Sequence, residues 1–236
     1  ELNKLILHPD FERIVEELSR KNISLPPGDE THPLEFSGFG SADGRVEKLE
    51  EIKGYPLNAD RGSIAMKEYR ISAYDESIVK FDALEGMANF TSHSLVVCGE
   101  TEYAPINLVT FYFYTRSQKL AGPYIKQVSD VERQANKDRV FDEKNFLLKY
   151  TPPKSLLFVD GPLIAGDYYT YMVDAMSEFL AKEIIPVFLV KNSMNNLITE
   201  NIPELKGQFN SDLHWLYHKL KRGERSAFFK YEDQHN

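Results

Sequence analysis

The sequence predicts an α/β fold: a mixed five-stranded sheet flanked by helices, behind a helical and loop-rich N-terminal extension. Three observations carry this. Three stretches rich in β-branched and aromatic residues follow one another between residues 77 and 116. A charged helical stretch, about 129 to 150, then ends at Pro152 and Pro153. Finally "SLLFVD" and "IIPVFLVKNS" bracket a second helical stretch.

Residues 10 to 20 place Phe11, Ile14, Val15 and Leu18 at helical spacing behind Asp10, a candidate cap. Residues 25 to 62 hold Pro26, Pro27, Pro33, Pro56 and six glycines, which reads as loop or linker. The "GFGSADG" within it lacks the preceding strand that a dinucleotide-binding loop needs. "SIVKFDALEG", "SHSLVVCGE" and "NLVTFYFYTR" are the first three strands. "SLLFVD" is the fourth and "IIPVFLVKNS" the fifth. Between these two, apolar residues at 169, 172, 173, 176, 179 and 180 make one helical face. Residues 195 to 222 read as mostly helical, with Leu213, Leu216, Tyr217 and Leu220 on one side. The order β-β-β-α-β-α-β-α is that of the ribonuclease H type of sheet, antiparallel first and parallel after the helix. Residues 1–76 are accordingly read as the extension and 77–236 as the main domain. The unfinished end, "FFKYEDQHN", reads as that of a chain that continues.

Composition narrows the class. A hydrophobic fraction of 42% with 27% charged residues describes a soluble globular chain. The net charge of -8 argues against non-specific coating of nucleic acid, but not against one local basic channel. A single cysteine, Cys98, excludes an internal disulfide framework and a Cys-based zinc site, and fits a reducing, cytoplasmic setting. No apolar run approaches the ~18 residues of a membrane span.

In the predicted topology the first strand, the first helix and the fourth strand lie together, so an acid on each would form one cluster. The first strand offers Asp82, in phase with Ile78 and Lys80. The fourth offers Asp160. The helix offers Glu132, Asp138, Asp142 and Glu143. Glu143 is preferred, because it shares a face with Asn136, Val140 and Leu147; Asp142 and Glu132 are held in reserve. Clustered carboxylates suit Mn²⁺ or Mg²⁺, and two such ions ~4 Å apart can promote phosphodiester hydrolysis. Against this stands the ordinary reading of an Asp-Gly pair as a turn.

From Leu156 onward the chain resembles the NurA nuclease family. The features are "LLFVDGPL", the helix after it, "IPVFLVKNS", and "SDLHWLYHKLKRGERSAFF". The resemblance implies an RNase H-like, Mn²⁺-preferring, usually dimeric nuclease that works with a HerA-type hexameric ATPase in DNA end processing. By position it assigns Asp82, Glu143 and Asp160 as metal-holding catalytic acids. The chain departs from the family where Asp82-Ala83-Leu84 stands for the usual first-strand Asp-Gly-Ser. A second reading follows from that departure: a non-catalytic NurA-like subunit docked on such an ATPase, in a repair or anti-phage complex.

Lys191, at the end of the fifth strand, is a candidate phosphate contact. Lys221, Arg222 and Arg225, in "HKLKRGER", are candidate DNA-backbone contacts, although a solvated helix end is the default reading. His214 and His218 share a helical face but lack the Glu of a metallopeptidase motif. "FYFYTR" reads as a packed strand rather than a base-stacking platform.

Overall fold

The computed structural model describes residues 11–20, 45–98, 103–119, 122, 124–163, 167–191, 195–209 and 211–232. The "GFGSADG" stretch and the Asp10 cap lie outside them. Along the chain the elements begin with α1 (Phe11–Ser19), β1 (Arg45–Lys48), β2 (Tyr55–Pro56) and α2 (Ala59–Glu68). Next come β3 (Arg70–Ala83), β4 (Gly86–Cys98), β5 (Tyr103–Thr115), β6 (Ile125–Gln127) and α3 (Val131–Tyr150). They end with β7 (Ser155–Asp160), α4 (Thr170–Ala181), β8 (Ile184–Leu189), α5 (Leu197–Asn201), α6 (Asp212–Lys219), β9 (Glu224–Arg225) and β10 (Phe229–Glu232).

The described residues form two compact units, one within 58–192, the other within 1–57 and 193–236. The sequence reading places its boundary at 76/77. It falls inside β3, a strand that starts at Arg70 because Arg70 N–H already donates to Lys154 O. Residues 59–62, read as the end of the loop, instead open the helix α2, and the Asn58 side chain accepts from Arg61 N–H at its start.

The first unit is a mixed α/β layer. Its sheet has the order β6-β5-β4-β3-β7-β8. Pairing is antiparallel between β3 and β4 and between β4 and β5, and parallel for β3–β7, β7–β8 and β5–β6. Without the short edge strand β6, which the sequence did not announce, this arrangement is compatible with the predicted RNase H-like order. The helices α3 and α4 cover one face. Tyr74, Leu95, Leu157 and Val159 from the sheet pack there with Phe146 and Leu147 of α3 and Met172 and Phe179 of α4. Alternation explains this: Ser155, Leu157 and Val159 of β7 are buried, while Leu156, Phe158 and Asp160 face the other way. The helix α3 starts where Asp130 accepts from Arg133 N–H at 3.0 Å and ends before Pro152.

The second unit pairs β1 with β10 and β2 with β9, both antiparallel. Ile202, Leu205, Phe209 and Trp215 form its core. The stretch 195–222, read as mostly helical, holds two short helices, α5 and α6, separated by a segment where Pro203 and a left-handed Gly207 fall.

Candidate carboxylate site

The site is built from Asp160 outward. The register of parallel β3 and β7 matches Tyr74 with Val159 at its last pair. One step further on, Asp75 and Asp160 stand side by side on the face away from α3, where β7 ends while β3 continues, with Asp75 opposite Ser94 of β4. Gly161 then turns the chain, with φ +132, a conformation that side chains strongly disfavour, and its N–H donates to Leu189 O at 2.9 Å. The backbone thus fixes the height of Asp160 at the sheet's end.

On the other face, Glu76 follows Tyr74 and meets α3. Arg139 of α3 donates to Glu76 and lies 3.9 Å from Glu143, one helical turn on. Glu76, Arg139, Glu143 and Asp160 line a single cavity of about 150 Å³, closed by Pro162, Met172 and Phe188. Asp160 also borders a groove of about 310 Å³ with Asp75 and Lys191. It stands where the two spaces adjoin, and the Lys191 ammonium donates to its carboxylate.

The electrostatics follow from burial. Glu143 is pushed up to about 7, first by desolvation and then by repulsion from Glu76, with Arg139 opposing. Glu76 is also raised, by desolvation first. One Glu76 oxygen, Oε2, is buried without a hydrogen-bond partner. Beneath them Tyr74 Oη and His93 Nδ1 are 2.7 Å apart, and burial drives His93 down to about 4, so it packs as a neutral ring.

The structure sorts the acids proposed from sequence. Glu143 and Asp160 line the same cavity. Asp82 does not join them: it pairs opposite Met87 near the β3–β4 turn. It lies seven residues beyond Asp75 on β3, about 23 Å at ~3.3 Å per residue. The physical reason is strand length, because β3 starts well before the "SIVKFD" stretch read as its opening. The other α3 acids lie outside this cavity. Tyr112 O–H donates to Asp142 at 3.1 Å, Tyr114 O–H and Lys126 hold Asp138 at 2.9 and 2.7 Å, and Glu132 is exposed. Sequence reasoning missed Asp75 and Glu76. Their signal was present in "RISAYDES", where Ser72, Tyr74 and Glu76 alternate with Ala73 and Asp75 and extend the strand backward.

The basic residues also separate. The fork of Arg225 is occupied by Glu50, at 2.6 and 2.9 Å, and its plane lies between the rings of Tyr55 and Phe228. It holds its own unit together instead of facing solvent. Lys221 and Arg222 are exposed in the turn after α6. In "FYFYTR" the aromatics split by face: Tyr112 and Tyr114 lie toward α3, while Phe111 stacks with Phe90 on the opposite face.

Among the described residues no three His, Cys, Asp or Glu side chains are gathered tightly enough to ligate one ion directly. The donor chemistry nevertheless suits a hard divalent cation: all candidates are carboxylates, and one buried oxygen is unsatisfied. No helix among the described residues is long and apolar enough to cross a membrane.

No protein-family model matches the chain, and no curated protein does. Among solved structures it is similar to a crystal structure of NurA with manganese, at 14% identity and a TM-score of 0.25. That match covers 41% of this chain and only 20% of the NurA chain. A likeness of this size assigns no role by itself.

Proposed function

We propose that the protein is a metal-dependent DNA nuclease of the NurA type, with Asp75, Glu143 and Asp160 as its principal acids and Glu76 beside them. The observation that carries this is the meeting of Glu76 of β3, Asp160 of β7 and Glu143 of α3 around one cavity where the parallel pairing of β3 with β7 stops, with Asp75 beside Asp160 in the adjoining groove. Asp75-Glu76-Ser77 also offers a nearer counterpart than Asp82 to the first-strand Asp-Gly-Ser of that family.

A bound Mn²⁺ or Mg²⁺ pair would supply Lewis acidity and water activation for phosphodiester hydrolysis. The protein's own residues would do the rest. Asp160 and Asp75 would hold the cations at the sheet end, with Glu143 completing the set from below. Lys191, beside Asp160, would meet a phosphate oxygen once cations neutralise the acid it now pairs with. Lys221 and Arg222 remain candidates for the DNA backbone. A HerA-type ATPase is the proposed partner. A homodimer is supported by an exposed apolar ridge of Phe81, Phe90 and Phe111 on the sheet face away from α3.

The test is Mn²⁺-dependent degradation of linear DNA by the wild type, Asp160→Asn and Asp75→Asn proteins. Loss in both variants, with unchanged circular dichroism, is expected; wild-type rates in either would overturn the assignment.

One observation favours the second reading, a non-catalytic NurA-like subunit. Arg139 and Lys191 already neutralise Glu76 and Asp160, so part of the cluster is satisfied by protein cations. Stable binding to a HerA-type ATPase, with no cleavage under any divalent metal, would select it.

A further inference from the structure

Another cavity lies within the unit built from β1, β2, α5 and α6. Its volume is about 510 Å³, within the range of small-molecule sites and far beyond the ~30 Å³ share of one water. Ile52, Leu205, Leu220 and Trp215 give it an apolar wall.

The polar groups around this wall are unevenly matched. Lys48 pairs with Glu204, and Lys53 with Glu51 at 2.6 Å, so both rim acids are neutralised by lysines. Lys219 also lines the cavity. Among the described residues no carboxylate pairs with it; its ammonium lies 5.7 Å from the Phe209 ring. One positive charge is therefore left over. Trp215 is 3% exposed, and its indole Nε1 is buried with no acceptor. An indole N–H can only donate, and this one stays unpaired inside the wall that the Trp215 ring presents to the cavity. A buried donor without a partner costs on the order of 1–3 kcal/mol.

We propose that this cavity is a binding site for a small organic anion: an apolar or planar body bearing a single phosphate or carboxylate. The body lies on the Trp215 and leucine wall. The anionic group meets Lys219 at the rim. A bare inorganic ion satisfies the lysine but leaves the apolar wall wet. A neutral ring covers the wall but leaves the charge unmatched. This site is independent of the nuclease reading.

Trp215 is the chain's only tryptophan, so its fluorescence reports on the cavity directly. The probes are adenosine monophosphate, 2-naphthoate, adenosine and inorganic phosphate, each titrated up to about 1 mM, the weak end for a specific site. Calorimetry on the same samples confirms stoichiometry. The expected result is saturable binding of adenosine monophosphate, of naphthoate or of both, which names the anionic group. Adenosine and phosphate should each bind at least tenfold more weakly. Lys219→Gln, an exposed substitution, should weaken the organic anion about tenfold and leave the thermal midpoint unchanged. No saturable response to either organic anion would overturn the proposal. So would phosphate or adenosine binding as tightly as they do, or full affinity in Lys219→Gln.

Discussion

Replacing Glu143 with Gln should stabilise the protein at alkaline pH and do little at acid pH. In the folded chain Glu143 titrates at about 7, against an ordinary 4.5, because burial and Glu76 disfavour its charge more than Arg139 favours it. At ~1.4 kcal/mol per pH unit, that rise corresponds to roughly 3 kcal/mol. The sign follows from proton counting. Between pH 4.5 and 7 the folded state keeps a proton that the unfolded chain has released, so stability falls as pH rises through this window. Above it, both states are ionised and the full penalty stands. Glutamine is nearly isosteric and carries no charge, so the variant escapes the penalty. The assay is urea unfolding of both proteins at pH 5 and pH 8, with a chelator present so that no divalent metal pairs with the acid. The variant should gain about 2–3 kcal/mol on the wild type between these two conditions. A stability difference that does not change with pH would refute the reasoning. A wild type more stable than the variant at pH 8 would show that the Arg139 pair outweighs the burial.

Other perturbations separate the acids and the backbone devices that place them. Asp82→Asn should keep Mn²⁺-dependent DNA cleavage within about twofold, while Asp75→Asn loses at least 100-fold, about 2.7 kcal/mol of transition-state stabilisation; cleavage rates on linear duplex decide it. Gly161→Ala should cost about 1–3 kcal/mol, because φ +132 is strained for any Cβ even though open space surrounds the position. Thermal unfolding checks this, and cleavage should fall as Asp160 shifts. Arg225→Ala should lower the thermal midpoint yet leave the salt dependence of DNA binding unaltered, since its guanidinium is held by Glu50. Leu157→Ala, at a fully buried position between sheet and helices, should destabilise by about 2–5 kcal/mol in urea unfolding.

Much of the fold was legible because its signals are local. The period-two runs, the proline stop after α3 and the apolar face of α4 each sit within a few residues of one another. Asp160 was legible for the same reason: an acid at the end of an apolar run followed by Gly-Pro. Glu143 followed from helical spacing alone. What failed was register. A strand start displaced by seven residues changed which acid stands beside Asp160, because the pairing of Arg70–Tyr74 with β7 sets which residue of β3 reaches the end of β7. Asp75 and Glu76 read as exposed polar residues until that pairing is known.

The sequence by itself determined the element types, the mixed character of the sheet and the presence of an acid at the end of β7, since these depend on short-range periodicity and on Gly and Pro geometry. Only the tertiary structure decided that Asp75 and not Asp82 accompanies Asp160, and that Arg225 is consumed by Glu50, 175 residues away. It also decided that β1 finds β10 near the other end of the chain, and that three lysines and the only tryptophan share one cavity. These are pairings across long sequence separations. They are set by which surfaces are buried together, and a local pattern carries no record of its distant partner.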